Sequence, residues 1–175
     1  CYENLLSTAE RRMLINQESQ TSIRMSDFFG IMPSINGKIE LVYEGEQEGA
    51  RKISFHLINE AVKTLFVNFF PKIEKLQKPD ESTPYDNLLA WFFKDNKLFL
   101  EDNEKENSYR KKIKSIPEAI ELVKKYVKNT KDDDIYFMVE FLLWGLEAHK
   151  KLNKYRSIDG FEFKDSLGSY IKNLW

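Results

Sequence analysis

The run Ile135-Tyr136-Phe137-Met138-Val139-Glu140-Phe141-Leu142-Leu143-Trp144-Gly145-Leu146 decides how this chain folds. It is apolar on nearly every side of a helical wheel and is broken by a single carboxylate. A bilayer span needs about 20 such residues, and this run has 12, so it predicts a helix enclosed by other helices. Asp132, Asp133 and Asp134 precede it, where negative charge suits the positive end of the helix dipole. His149, Lys150, Lys151 and Lys154 follow, where positive charge suits the negative end. The expected spine helix therefore runs from Asp133 to about Lys154.

Working back from the spine, Pro117 stands at the first turn of a helix carrying Ala119, Ile120, Val123, Tyr126 and Val127. The charged stretch Glu101 to Lys114 reads as a loop or hairpin tip. Lys97-Leu98-Phe99-Leu100 reads as a brief strand, and Leu88, Leu89, Trp91, Phe92 and Phe93 as a short apolar helix. Beyond the spine come a turn at Gly160, an alternating run Phe161-Glu162-Phe163, and a closing helix with Leu167, Tyr170, Ile171, Leu174 and Trp175.

In the first half, Leu5, Leu6, Ala9, Met13 and Leu14 recur at helical spacing from Tyr2 to about Gln17, with Glu3, Glu10, Arg11 and Arg12 on the opposite side. Ser26-Asp27 caps a stub helix of Phe28, Phe29, Ile31 and Met32 that Pro33 stops. Asn36-Gly37 signals a turn into a strand of Ile39, Leu41 and Tyr43. Glu44 to Gly49 is too acidic and glycine-rich for a regular element. A helical period then runs from Ala50 through Ile53, Leu57, Ile58, Ala61, Val62, Leu65, Phe66 and Phe69 to Pro71. The fold class is mainly α, a helical bundle with a minor short β-hairpin or strand pair. Residues 77–84, polar and carrying two prolines, are the internal boundary between 1–76 and 85–175, unless the chain is one continuous unit.

Composition narrows the class. The chain of 175 residues carries 27 Lys plus Arg against 28 Asp plus Glu, with 42% hydrophobic residues, which suits a folded domain and excludes disordered and collagen-like chains. A net charge of −1 supplies no field for general nucleic-acid or anionic-membrane binding. The single cysteine, Cys1, permits no internal disulfide and no cysteine-based metal cluster, and reads as a reducing, cytoplasmic setting. With no initiator methionine and helical rhythm from Tyr2, the chain reads as a piece of a longer protein.

Catalytic motifs fail on spacing. A phosphate-binding loop needs G-x-x-x-x-G-K-[ST], whereas Gly30 and Gly37-Lys38 are separated by six residues and followed by Ile39. There is no G-x-G-x-x-G run. His56 and His149 are the only histidines and neither stands in a zinc motif. No G-x-S-x-G elbow accompanies them. Catalytic, cofactor-binding and metal residues are therefore expected to be none. Glu140 must be paired, raised in pKa or turned to a cavity, and pairing with a Lys or Arg is the favoured reading. Arg110 to Lys114, beside Tyr109, is the one basic cluster, and Glu101, Asp102, Glu104 and Glu106 upstream cancel much of its field.

Three stretches carry a family likeness. Tyr2-Glu-Asn-Leu-Leu-Ser-Thr-Ala-Glu-Arg-Arg, Arg24-Met-Ser-Asp-Phe-Phe and the run from Pro33 to Gly49 resemble the C-terminal lid region of AAA+ ATPases of the magnesium-chelatase ATPase-subunit, MoxR-related type. Glu140 to Asn153 is similar to the end of the same chains. The resemblance implies a lid and helical module of a parent ATPase that couples ATP hydrolysis, with ATP and Mg2+ bound by the parent, to remodelling of a partner protein. It implies a homo-oligomeric ring and a von Willebrand factor A domain partner. The family's sensor arginine is expected at or before the first helix, so that role is not carried to Arg11, Arg12 or Arg24. Lys38, Glu40, Glu44, Glu46 and Glu48 are the expected subunit or partner contacts, on an arm running from Lys38 to Gly49. The alternative is a free-standing helical interaction domain that binds through Trp91, Phe92 and Phe93.

Overall fold

The computed structural model describes residues 1–35, 38, 43–73 and 82–165, with backbone alone for 43–48, 50 and 51. In chain order the elements are α1 (Tyr2–Ile15), a 3-10 helix (Met25–Ile31), α2 (Met32–Ile35), α3 (Tyr43–Phe66), α4 (Asp86–Phe93), β1 (Leu98–Glu101), α5 (Glu106–Lys114), α6 (Pro117–Tyr126), α7 (Asp134–Ala148), β2 (Leu152–Arg156) and β3 (Gly160–Asp165). The fold is mainly α with a small antiparallel sheet in the order β1-β3-β2, as the patterning predicts.

The apolar run is the spine. Every residue of α7 from Met138 to Leu146 is buried, with α3 and α6 packed along it. Its end differs from expectation. The helix stops at Ala148 because Lys150 takes a left-handed φ of 60°. That turn lets the Lys150 N–H bond Glu147 O at 2.7 Å and the Lys151 N–H bond Leu146 O at 2.8 Å, which satisfies the last carbonyls. Lysine at this position gives no sequence signal, since glycine or asparagine is the usual occupant. The residues placed at the helix end by sequence, Leu152 to Lys154, belong instead to β2. The same device closes α1, where Gln17 has φ 57° and the Glu18 N–H reaches Met13 O at 3.0 Å.

Strand β3 pairs with both neighbours, with Leu98 opposite Phe163 on one side and Leu152 opposite Asp165 on the other. Alternation puts Leu98, Leu100, Leu152, Phe161 and Phe163 into the core, against Leu88 and Phe92 of α4 and the flank of α7. The core draws on residues from Met25 to Phe163.

Three further expectations are corrected. The charged stretch 101–114 is not a loop throughout: α5 forms from Glu106, because Tyr109 and Ile113, four residues apart, are both buried and outweigh the polar appearance. The acidic stretch 44–49 is not a loop either. Its backbone is helical from Tyr43, with one break at Gly49 (φ 79°, ψ 146°), a conformation that only glycine adopts cheaply. Glu44 thus stands in the first turn of a short helix that ends at the kink, and Glu46 and Glu48 stand just ahead of the helix beyond it, where negative charge suits the dipole. Pro33 does not stop the stub helix but sits in the first turn of α2, where its missing N–H costs nothing. The strand expected at Ile39 and Leu41, most of the 77–84 boundary and the closing helix at 167–175 lie outside the described residues; Tyr43 itself opens α3.

Candidate functional site

Where α1 meets the 3-10 helix, the chain buries charge. Arg12, placed by sequence on the solvent side of α1, is 1% exposed. Its Nη1 donates to Asp27 Oδ1, and its Nη2 donates to Ser22 O at 2.5 Å and Thr21 Oγ1 at 3.1 Å. Asp27 is 2% exposed and its second oxygen accepts the Arg24 N–H at 2.8 Å, which caps the 3-10 helix. Burial raises the Asp27 carboxyl above its ordinary value, against the pull of Arg12 and the Arg24 N–H.

Arg24 continues the chain of contacts into the second half of the molecule. Its Nη1 donates to Glu104 O at 2.8 Å and its Nη2 to Glu106 Oε2 at 3.0 Å. Its guanidinium lies 4.0 Å from the centre of the Tyr109 ring. Burial alone would raise Glu106, but hydrogen bonds from Arg110, Arg24 and Ser22 hold its carboxyl below the ordinary value. Arg110 also reaches Asp133 at 2.8 Å. Lys112 pairs with Glu104 at 2.7 Å. Arg110 and Lys112 of the basic cluster are therefore engaged in ion pairs on a helix, not on the solvated loop expected from sequence.

Glu140 sits at the centre of this joint, 3% exposed. The favoured pairing with a Lys or Arg is replaced by two neutral donors on one oxygen: Met25 N–H at 3.0 Å and Tyr109 OH at 2.9 Å. Burial pushes the Glu140 carboxyl up to about 7, against the pull of those two bonds and of Arg24. Desolvation and the neighbouring Glu140 raise the Tyr109 phenol well above its ordinary value. Three elements, the 3-10 helix, α5 and α7, are thus joined through one carboxylate. Among the described residues the joint presents no activated nucleophile, and its hydrogen bonds fix how the three elements meet.

Of the expected contact residues, Lys38 lies exposed in a turn closed by its N–H to Ile35 O at 3.0 Å. Glu40 lies outside the described residues. Glu44, Glu46 and Glu48 stand on the helical backbone ahead of Gly49, so they are carried by a helix and not by a loop arm. The residues that sequence reading missed are Arg12, Arg24, Glu106 and Tyr109, while Asp27, read with Ser26 as the cap, stands at the third position of the 3-10 helix, whose cap is Arg24. The signal available for part of them was Arg24-x-x-Asp27 ahead of an apolar turn, an acidic residue three positions into a helix reaching back to its cap.

Two cavities flank the joint. An apolar groove of about 470 Å3 lies between the 3-10 helix, α3 and α7, and Met25 lines it while the Met25 N–H serves Glu140. A polar cavity of about 210 Å3 is lined by Arg11, Arg12, Asp27, Asp102 and Arg156 among others. Arg156 there is clasped by Asp102 through two bonds of 2.8 and 2.5 Å. Among the described residues no group of three or more His, Cys, Asp or Glu is placed to hold a metal ion, and no helix is long and apolar enough to cross a membrane. No family model, curated protein or solved structure matches this chain.

Proposed function

We propose that this chain is the lid and C-terminal helical module of an AAA+ ATPase of the magnesium-chelatase-like type, working in the cytoplasm, which couples ATP hydrolysis in the parent protein to remodelling of a partner protein. One observation carries the reading beyond the sequence likeness. Arg12, Arg24, Met25, Asp27 and Glu140 belong to family-like stretches up to 128 positions apart in sequence, and they meet in the single buried joint. In this division of labour ATP and Mg2+ belong to the parent's core, the ring is homo-oligomeric, and the module transmits lid movement to the C-terminal helices, with a von Willebrand factor A domain protein as partner. The rival reading as a free-standing interaction domain loses most of its surface: Phe92 is buried and Trp91 half-buried, which leaves Phe93 exposed.

The test is made on the full encoded chain. Purified with Mg2+, it is expected to hydrolyse ATP and to assemble into rings by light scattering, whereas residues 1–175 alone bind no nucleotide in calorimetry. Tight ATP binding by the 175 residues, or a full chain without ATPase activity, would overturn the assignment.

A further inference from the structure

Across the buried joint, most charges are matched in contact; Glu18 at its edge instead accepts the Glu106 N–H at 2.8 Å, and Glu140 is the buried exception. Arg12 faces Asp27, Arg24 faces Glu106 at 3.0 Å, and Arg110 at the rim faces Asp133 as well as Glu106. With Lys112 facing Glu104 at 2.7 Å, four cations meet four carboxylates, and Glu140 stands outside these pairs. It is bonded to an amide and a phenol, neither of which carries charge to offset its own. An enclosed carboxylate without a partner charge is far more costly ionised than protonated. A protonated carboxyl keeps the capacity to accept both bonds, because both converge on Oε2 and the proton has Oε1.

We propose that Glu140 is a proton-operated latch: neutral, it holds the 3-10 helix and α5 onto α7, and its ionisation loosens that joint. The groups acting on it come from each side. The 3-10 segment contributes Arg24, which favours ionisation, and Asp27, which opposes it. From α5 come Tyr109 and, behind it, Glu106. From α1, Arg12 acts through Asp27. The buried residues that α3 and α6 turn inward, including Ile58, Val62, Phe66, Ala119, Leu122 and Val123, do not titrate. Lys154 of β2 is taken up by Glu147 and the Trp144 ring farther along α7. The latch does not depend on the ATPase reading, since it needs only the joint itself.

The direction of the effect follows from linkage. In the opened joint the carboxyl titrates near its ordinary 4.5, and in the closed joint near 7. Below 4.5 both forms hold the proton and the joint has its full strength. Between 4.5 and about 7 the opened form loses its proton first, so the closed form weakens by up to tenfold per pH unit. Above 7 both are ionised and the loss is complete. Asp27, also raised by burial, acts in the same direction at the acid end, so the difference between the natural chain and a Glu140→Gln variant is the quantity to read.

Amide hydrogen exchange of Met25, whose N–H is bonded to Glu140, is followed by NMR from pH 4.5 to 8 and corrected for intrinsic exchange. In the natural chain its protection is expected to fall at least thirtyfold between pH 5 and 7.5 and to level off above. In Glu140→Gln, which keeps an acceptor oxygen and cannot ionise, it should change less than threefold. Equal slopes in the two proteins would overturn the latch. The carboxyl carbon of Glu140 in the natural chain gives a readout free of any folding defect in the variant: a titration midpoint near 7 upholds the proposal, and one below 5 ends it.

Discussion

Truncation of Phe66 to alanine is expected to lower the unfolding free energy by about 3–5 kcal/mol, which for a chain of this size lowers the melting temperature by roughly 6–20 °C. Phe66 is 0% exposed, and its ring lies 5.2 Å from that of Phe70, 5.5 Å from His149 and 6.4 Å from Phe141. Stiff aromatic neighbours cannot collapse into the space it leaves, so the full cavity cost applies. The same ring explains Gly145. A Cβ built there would stand 2.0 Å from Phe66 Cδ2, so α3 approaches α7 this closely only over bare backbone. Alanine in mid-helix should gain about 1 kcal/mol of propensity, yet Gly145→Ala is expected to cost a net of about 1–3 kcal/mol through overpacking. In the Phe66→Ala background the methyl has room, and the substitution should become neutral or stabilising. Urea unfolding of the four proteins gives the coupling. Additive costs would remove the close approach as the explanation of this glycine.

The contrast between Gly145 and the buried joint shows what the amino-acid pattern can express. The enclosed helix α7 was legible because an apolar residue on every side has one physical solution in water, and the strands β1 and β3 were legible because Leu98, Leu100, Phe161 and Phe163 alternate. Helix α5 was hidden by its own charges: Glu106, Arg110 and Lys112 look solvated until their partners, drawn from the 3-10 segment, β1 and the start of α7, are in place. Arg12 was misplaced for the same reason, since burial of a guanidinium depends on an aspartate 15 positions away, a relation that periodicity does not encode. The ends of α1 and α7 were blurred because Gln17 and Lys150 take left-handed turns that glycine usually marks. Glu140 signalled its site, as a carboxylate out of place in an apolar run, though its neutral partners could not be read from sequence.

Replacement of Asp27 by alanine is expected to cost about 3–5 kcal/mol, because it strands the Arg12 guanidinium in the interior. Arg12 has side-chain exposure of 2%, and its Nε already lacks a hydrogen-bond partner, so the helix α1 must tilt away to hydrate it. The Arg24 N–H loses its acceptor in the same step, which adds the cost of a buried donor left unpaired. Arg12→Met alone should be of similar size, since it leaves the Asp27 carboxylate unmatched. The double variant Arg12→Met, Asp27→Ala removes both charges and should be much less destabilised than the sum of the single changes, because a buried ion pair returns little beyond its own desolvation cost. Thermal unfolding of the three variants measures this, and amide exchange along α1 reports where the damage lies. A double variant that regains stability while α1 exchanges freely would assign the pair to fixing where α1 docks. One that regains both would make the pair replaceable by apolar contact, and strict additivity would show that Arg12 and Asp27 act through separate partners, Ser22 for the one and the Arg24 N–H for the other.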